Sequence, residues 1–234
     1  MTREPGRRRI LIAGQAKTGT TALFYSIQAS LSDSTYCLFE PDRYAPPADE
    51  TKDVLAKVLI GTVKPAKIET FEEFERKILI IRDPRDTLVS SILYSVYHSE
   101  NYKDTAATRR LITLLETKEA NPSEISLHDV MAAVDQLSPG RHSCLDRFLS
   151  ALKLFTDFYR SSDDYHHFHY DDLVTGNLNE LEDFLVLALP TVAEVVQPEF
   201  VAKTGVDVDV EAEQLYFTDG LRSISRSTFN GSDT

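Results

Sequence analysis

Residues 14–21 read GQAKTGTT, with glycines at 14 and 19, a lysine between them and two consecutive threonines after the second glycine. These residue types suit the gripping of a phosphate, because glycines let backbone N–H groups approach an anion and a lysine and hydroxyls complete the shell. The nucleotide triphosphate pattern GxxxxGK[ST] needs a lysine directly after the second glycine, to reach the β- and γ-phosphates. Thr20 stands there instead, and the lysine has moved inside the loop to position 17. Placed so, Lys17 addresses the near end of a shorter ligand, with the Thr20 and Thr21 hydroxyls and N–H groups on its phosphate. The flanks agree. Residues 10–13 are an apolar run suited to a buried parallel strand, and 22–31 carry Leu23, Phe24, Ile27 and Leu31 at helical spacing. Strand, glycine-bearing loop and helix predict a bound phosphorylated ligand.

A second stretch, 77–96, reads KILIIRDPRDTLVSSILYSV. Residues 78–81 form another short apolar strand, the sequence RDPRD turns the chain, and 87–96 continue as a helix. Arg82 offers a fork of donors for phosphate oxygens, and Ser90 adds a hydroxyl about one turn along the helix. Arg85 and Asp86 are expected to lock the turn.

The sequence AKTGTT at 16–21 resembles the 5′-phosphosulfate loop, usually PKSGTT, of sulfotransferases that use 3′-phosphoadenosine 5′-phosphosulfate (PAPS). The strand, Arg, Asp-Pro-Arg-Asp and Val-Ser at 78–90 are similar to that family's 3′-phosphate motif. A looser likeness covers YHHFHYDDL at 165–173, where Tyr170 takes the place of a tyrosine that approaches the adenine and Asp171 replaces a glutamate. Ala22 stands where the family often has an adenine-stacking Trp. Residues 222–227 loosely resemble a C-terminal loop that closes on the 3′-phosphate, through Arg226, without the family's Arg-Lys-Gly run.

The resemblance implies an α/β domain like the P-loop NTPases that transfers a sulfuryl group from PAPS to a hydroxyl of a carbohydrate or small molecule, releasing adenosine 3′,5′-bisphosphate (PAP) without a metal. Ala16, Lys17, Thr18, Gly19, Thr20 and Thr21 would hold the 5′ end, and Arg82 and Ser90 the 3′-phosphate. Lys17 would follow charge onto the leaving phosphate, since positioning and electrostatics carry this kind of transfer. The family's small-molecule enzymes use a His within Lys-Thr-His-x-Pro as base, but the nearest match here, GTVKP at 61–65, has Val63 in that place. Other members place a glutamate after the second strand, a position held here by Glu40, which becomes the expected base; the plainer alternative is that Glu40 caps a turn beside Pro41. His98 is a reserve base, and Lys64 either touches the transferring group or is a surface lysine.

Other features bound this reading. The 234 residues, 42% of them hydrophobic, suffice for one domain with a full core. No apolar run approaches membrane-spanning length, no separate signal core precedes the first strand, and two cysteines make no disulfide framework, so a reducing cytoplasm is the expected compartment. A net charge of −12 argues against nucleic acid as partner. It also requires that positive potential be concentrated locally around an anionic donor; the arginines at 3, 7, 8 and 9 either assist or form a solvated tail. Oligomeric state is not legible.

Strand and helix patterns alternate in the first half, which predicts a single domain with a central parallel sheet flanked by helices. Residues 34–39 read as a strand, 49–57 as a polar helical patch, 58–63 as a strand and 71–76 as the end of a helix. Residues 99–140 are polar and suggest a helical acceptor-side insertion, with helices at 105–116 and 126–137. A long amphipathic helix over 141–160 puts Leu145, Phe148, Leu149, Leu152, Phe155 and Tyr159 on one broad face. His166, His167 and His169 are expected on a strand surface rather than around a metal. Two other functions remain open: an ATP-dependent small-molecule kinase, disfavoured by the missing lysine after Gly19, and a non-catalytic nucleotide-binding or interaction module.

Overall fold

The computed structural model describes residues 7–61, 66–97, 105–137, 143–192 and 195. Five strands form one parallel sheet: β1 (Arg9–Gln15), β2 (Tyr36–Phe39), β3 (Val54–Ile60), β4 (Arg76–Ile81) and β5 (His166–His169). Their spatial order is β2-β3-β1-β4-β5. The chain is therefore an α/β protein with a central parallel sheet, as the alternation predicted.

The inner strands are mostly apolar because both faces of the sheet are covered. Ile10 and Ile12 of β1 point to one face, where they join Leu55, Ile78, Ile80 and Phe168 beneath Leu23, Phe24 and Ile27 of α1 (Thr20–Ala29). Leu173 of α6 (Tyr170–Thr175) and Leu181 and Leu185 of α7 (Asn179–Leu185) complete that layer. Leu11 and Ala13 point the other way, toward Tyr44, Phe71, Phe74 and Phe155.

The structure corrects two element assignments. Residues 49–53 are a turn, with Asp49 Oδ1 accepting from the Thr51 N–H and hydroxyl, and β3 begins at Val54. Lys57 interrupts the apolar run and made it look amphipathic, yet it lies fully buried in mid-strand. Residues 71–76 do not end an α-helix: a 3-10 turn covers Ile68–Phe71 and Arg76 opens β4. Phe71 and Phe74 sink into the core against Tyr44, which suits a tight turn better than a longer helix.

Contacts divide the described chain into two compact units, one up to Arg82 and again from Ala151, the other Asp83–Ser150. The second unit holds α2 (Pro84–Tyr97), α3 (Thr105–Ala120) and α4 (Leu127–Gln136), with α4 packed on α2 and α3. Ser126 and Asp129 form a reciprocal capping box at the start of α4. Lys118 Nζ donates to the carbonyls of Pro122 and Ile125, tying off the α3–α4 turn. α5 (Cys144–Tyr159) spans the division between the units. Its buried stripe is narrower than the sequence suggested: Phe148 and Phe155 are covered, whereas Leu149 and Tyr159 are 50% and 41% exposed. Among the described residues, no helix is long and apolar enough to cross a membrane.

Candidate functional site

In an open parallel sheet the crevice lies beyond the carboxyl ends of the strands, where the order runs out in both directions from one strand. Here that strand is β1, with β3 and β2 to one side and β4 and β5 to the other. The loop 16–19 leaves the carboxyl end of β1 and enters α1 through Gly19, at φ +91°. With glycine as N-cap and no acidic residue in the first turn, the first N–H groups of α1 keep the positive end of the helix available to an anion.

Packing explains both glycines. A Cβ at Gly14 would stand 2.7 Å from Ile80 Cγ2 and Thr20 Cγ2 and 2.8 Å from Thr18 Oγ1. A Cβ at Gly19 would stand 2.6 Å from Tyr170 Cδ2, in a left-handed conformation that side chains resist. Lys17 is itself left-handed, at φ +71°. Thr18 braces the loop, its hydroxyl donating to the Gln15 carbonyl at 2.7 Å. Ala16 is exposed, Thr20 is buried, and Thr21 is exposed at the start of α1.

Arg82, one residue beyond β4, donates from Nη1 to the Lys17 carbonyl at 2.9 Å. Its guanidinium lies over the Tyr170 ring, 4.0 Å from the centroid. Its Nε is buried without a hydrogen-bond partner. Next along the chain, Asp83 Oδ1 accepts the Arg85 N–H at 2.8 Å and the Arg85 side chain chelates the same carboxylate. Arg85 thus holds the turn. Ser90 stands half-buried on α2, within the Asp83–Ser150 unit.

Glu40 directly follows β2, with φ +53°. Its Oε1 accepts from Lys57 Nζ at 2.5 Å, while the same ammonium donates to Thr21 Oγ1 at 2.9 Å and lies 4.0 Å from the Phe39 ring centroid. Lys57 was missed in the sequence, although a lone lysine inside an apolar strand was the available signal. The pairing links Glu40 to the first turn of α1. Burial lowers the Lys57 pKa, against the opposing pull of Glu40. Burial first, then Arg82 and Lys57, lowers that of Lys17. Three cations thus meet around the loop in a chain of net negative charge.

The remaining candidates fall elsewhere. Arg7, Arg8 and Arg9 lie at or before the amino end of β1, seven residues or roughly 20 Å of strand from the loop. Arg7 contacts the Tyr44 hydroxyl, Arg8 pairs with Asp53 and Arg9 with Glu73, so they brace the amino end of the sheet. His166 stacks on Phe184 and His167 reaches Ser162 Oγ at 3.2 Å. His169 caps α6. Among the described residues, no group of three or more His, Cys, Asp or Glu could hold a metal ion. Val63, Lys64, His98 and Arg226 lie outside the described residues.

No family model and no curated protein matches the chain. Among solved structures it is similar to mouse sulfotransferase SULT7A1 complexed with PAP, at 12% identity, over 97% of this chain and 67% of that one, with a TM-score of 0.38. A likeness of that order supports no inference about activity.

Proposed function

We propose that this chain is a PAPS-dependent sulfotransferase that moves a sulfuryl group to a hydroxyl of a carbohydrate or small molecule. One observation carries the reading: Arg82, from the second phosphate motif, reaches back 65 residues to the Lys17 carbonyl in the first. The two motifs that resemble the family's 5′ and 3′ phosphate elements meet, through Arg82 and Lys17, at the carboxyl ends of β1 and β4. The residues suit such a donor. The uncapped start of α1 and the Thr20 and Thr21 groups would take the 5′-phosphate. Arg82 Nε, buried with no hydrogen-bond partner among the described residues, supplies a donor for the 3′-phosphate, and Ser90 is assigned to it by resemblance alone. Arg226 is kept as a ligand by resemblance alone.

In this reading Lys17 stabilises the leaving phosphate as the sulfur–oxygen bond breaks, and Glu40 takes the proton lost by the acceptor hydroxyl. Lys57 holds one oxygen of Glu40, leaving Oε2 to face the acceptor. Residues 99–140, which carry α3 and α4, are assigned to the acceptor side.

Calorimetric titration with PAP and then with ATP and Mg²⁺ tests the reading. Tight binding of PAP with weak binding of ATP is the expected result and would justify an acceptor screen with labelled PAPS. The reverse preference would establish a kinase. Tight PAP binding with no turnover in any screen would point to a non-catalytic module.

Proton linkage gives a further expected result. The Lys17 pKa lies below its usual value in the free protein, and an adjacent phosphate would restore the charge. PAP binding should therefore take up protons between the lowered pKa of the free chain and the higher one of the complex, and affinity should fall as pH rises through that window. Titrations in two alkaline buffers of different ionisation enthalpy measure the uptake. Lys17→Ala should abolish it; uptake surviving that change would belong to another group.

A further inference from the structure

By resemblance Tyr170 approaches the adenine, but its ring has other neighbours here. Its Cδ2–Cε2 edge abuts Gly19, where an added Cβ would come within 2.6 Å and 2.9 Å of those two carbons. Arg82 covers the ring, 4.0 Å from the centroid, and the same arginine donates to the Lys17 carbonyl. Lys17 is a non-glycine residue in the left-handed region, a conformation that persists only where its surroundings hold it. The Thr18 hydroxyl braces the loop from within, through Gln15. The external hold runs from the end of β5 through Tyr170 to Arg82 and on to Lys17.

We propose that Tyr170 and Arg82 form a clamp that keeps Lys17 left-handed, so that the loop is already shaped for a phosphate before one arrives. Tyr170 is then a positioning residue for the phosphate loop, whatever base the ligand carries. The cation–π contact keeps the guanidinium aligned, and the aligned guanidinium keeps the Lys17 carbonyl turned toward β4 and away from the anion. Without the ring, Arg82 is free to swing, and residue 17 can relax to negative φ with its carbonyl redirected. The clamp rests on the reading of residues 14–21 as a phosphate site, and the test separates the two.

The full-length chain is titrated with inorganic pyrophosphate, which lacks adenine and a 3′-phosphate, and with adenosine 5′-phosphate. Tyr170→Leu should weaken both by the same factor, about tenfold, the scale of one released backbone strain. Tyr170→Phe, which keeps the ring, should recover most of that loss. Residue 17 supplies a readout that general loosening would not move. Glycine populates positive φ unaided, so the advantage of Lys17→Gly over Lys17→Ala in pyrophosphate affinity should be small in the clamped chain and several-fold larger with Tyr170→Leu. Unchanged pyrophosphate affinity in Tyr170→Leu, with weakened adenosine 5′-phosphate, would overturn the clamp and return Tyr170 to the adenine. Should Tyr170→Leu fail to fold, Arg82→Met carries the same test, because pyrophosphate has no 3′-phosphate for Arg82 to lose. Failure of the unaltered chain to bind pyrophosphate would overturn the phosphate site itself.

Discussion

Lys17→Ala should reduce sulfuryl transfer by roughly 10²–10³-fold, the scale for removing one preorganised group that meets charge in the transition state. Its effect on the affinity for PAPS in the absence of acceptor should be far smaller, no more than about tenfold, because other groups still hold the ligand. The uncapped N–H groups of α1 and the Arg82 guanidinium remain in the variant. The split follows from timing: in bound PAPS the phosphate lacks the charge that it gains as the bond to sulfur breaks, so Lys17 favours the transition state over the bound ground state. Turnover of labelled PAPS with the acceptor from the screen, set beside calorimetric PAPS affinity without acceptor, measures both. A variant whose turnover falls only as far as its PAPS affinity would leave Lys17 a binding residue and nothing more.

The Glu40–Lys57 pair carries the second large effect, and in it stability and activity should part. The Lys57 side chain is 2% exposed and its partner Glu40 42%. Glu40→Ala leaves a buried ammonium without its carboxylate, which costs about 3 kcal/mol, toward the low end for such changes because water reaches the Glu40 side. Glu40→Gln still accepts from Lys57 and should cost much less. Lys57→Met removes charge and donors together at similar volume, a replacement that is often neutral or stabilising. It also frees Glu40 from its position and removes the ammonium from Thr21. Lys57→Met should therefore fold at least as well as the original chain and yet lose roughly tenfold or more of its turnover, while Glu40→Gln should lose about 10²-fold or more. Urea melts and turnover assays on the three variants test the pattern. Full activity in Glu40→Gln would remove Glu40 from proton transfer and leave it the counter-ion of Lys57.

The two candidate phosphate elements were legible because their physics is local. Gly14, Lys17, Gly19 and the paired threonines sit within eight residues, and the strand before and helix after them have unmistakable apolar periods. The same holds for Arg82 and the turn that follows, where Asp83 and Arg85 bind within one short segment. Alternating apolar runs also foretold a parallel α/β sheet, since only strands buried on both faces can be apolar throughout.

Tertiary structure decided what depends on partners distant in sequence. Lys57 looked like the polar end of a helix because nothing nearby in sequence announces that Glu40 and Thr21, 17 and 36 residues earlier, will neutralise and accept from its ammonium. A buried charge is tolerable only once those partners are in place, so its position in a strand follows from the fold and not from local propensity. The arginines at 7–9 were open to two readings, assistance to an anionic ligand or a solvated tail, and the direction of β1 carries them to the end of the sheet opposite the loop. Tyr170 was expected near the ligand by resemblance alone, and its contact with Gly19 and Arg82 arises only when β5 pairs with β4 and brings three segments together. Sequence by itself determined which residues could hold a phosphate and the class of fold that presents them. The tertiary structure alone decided which charges meet there and which are spent on the scaffold, because Coulomb and hydrogen-bond energies depend on distances that only chain packing sets.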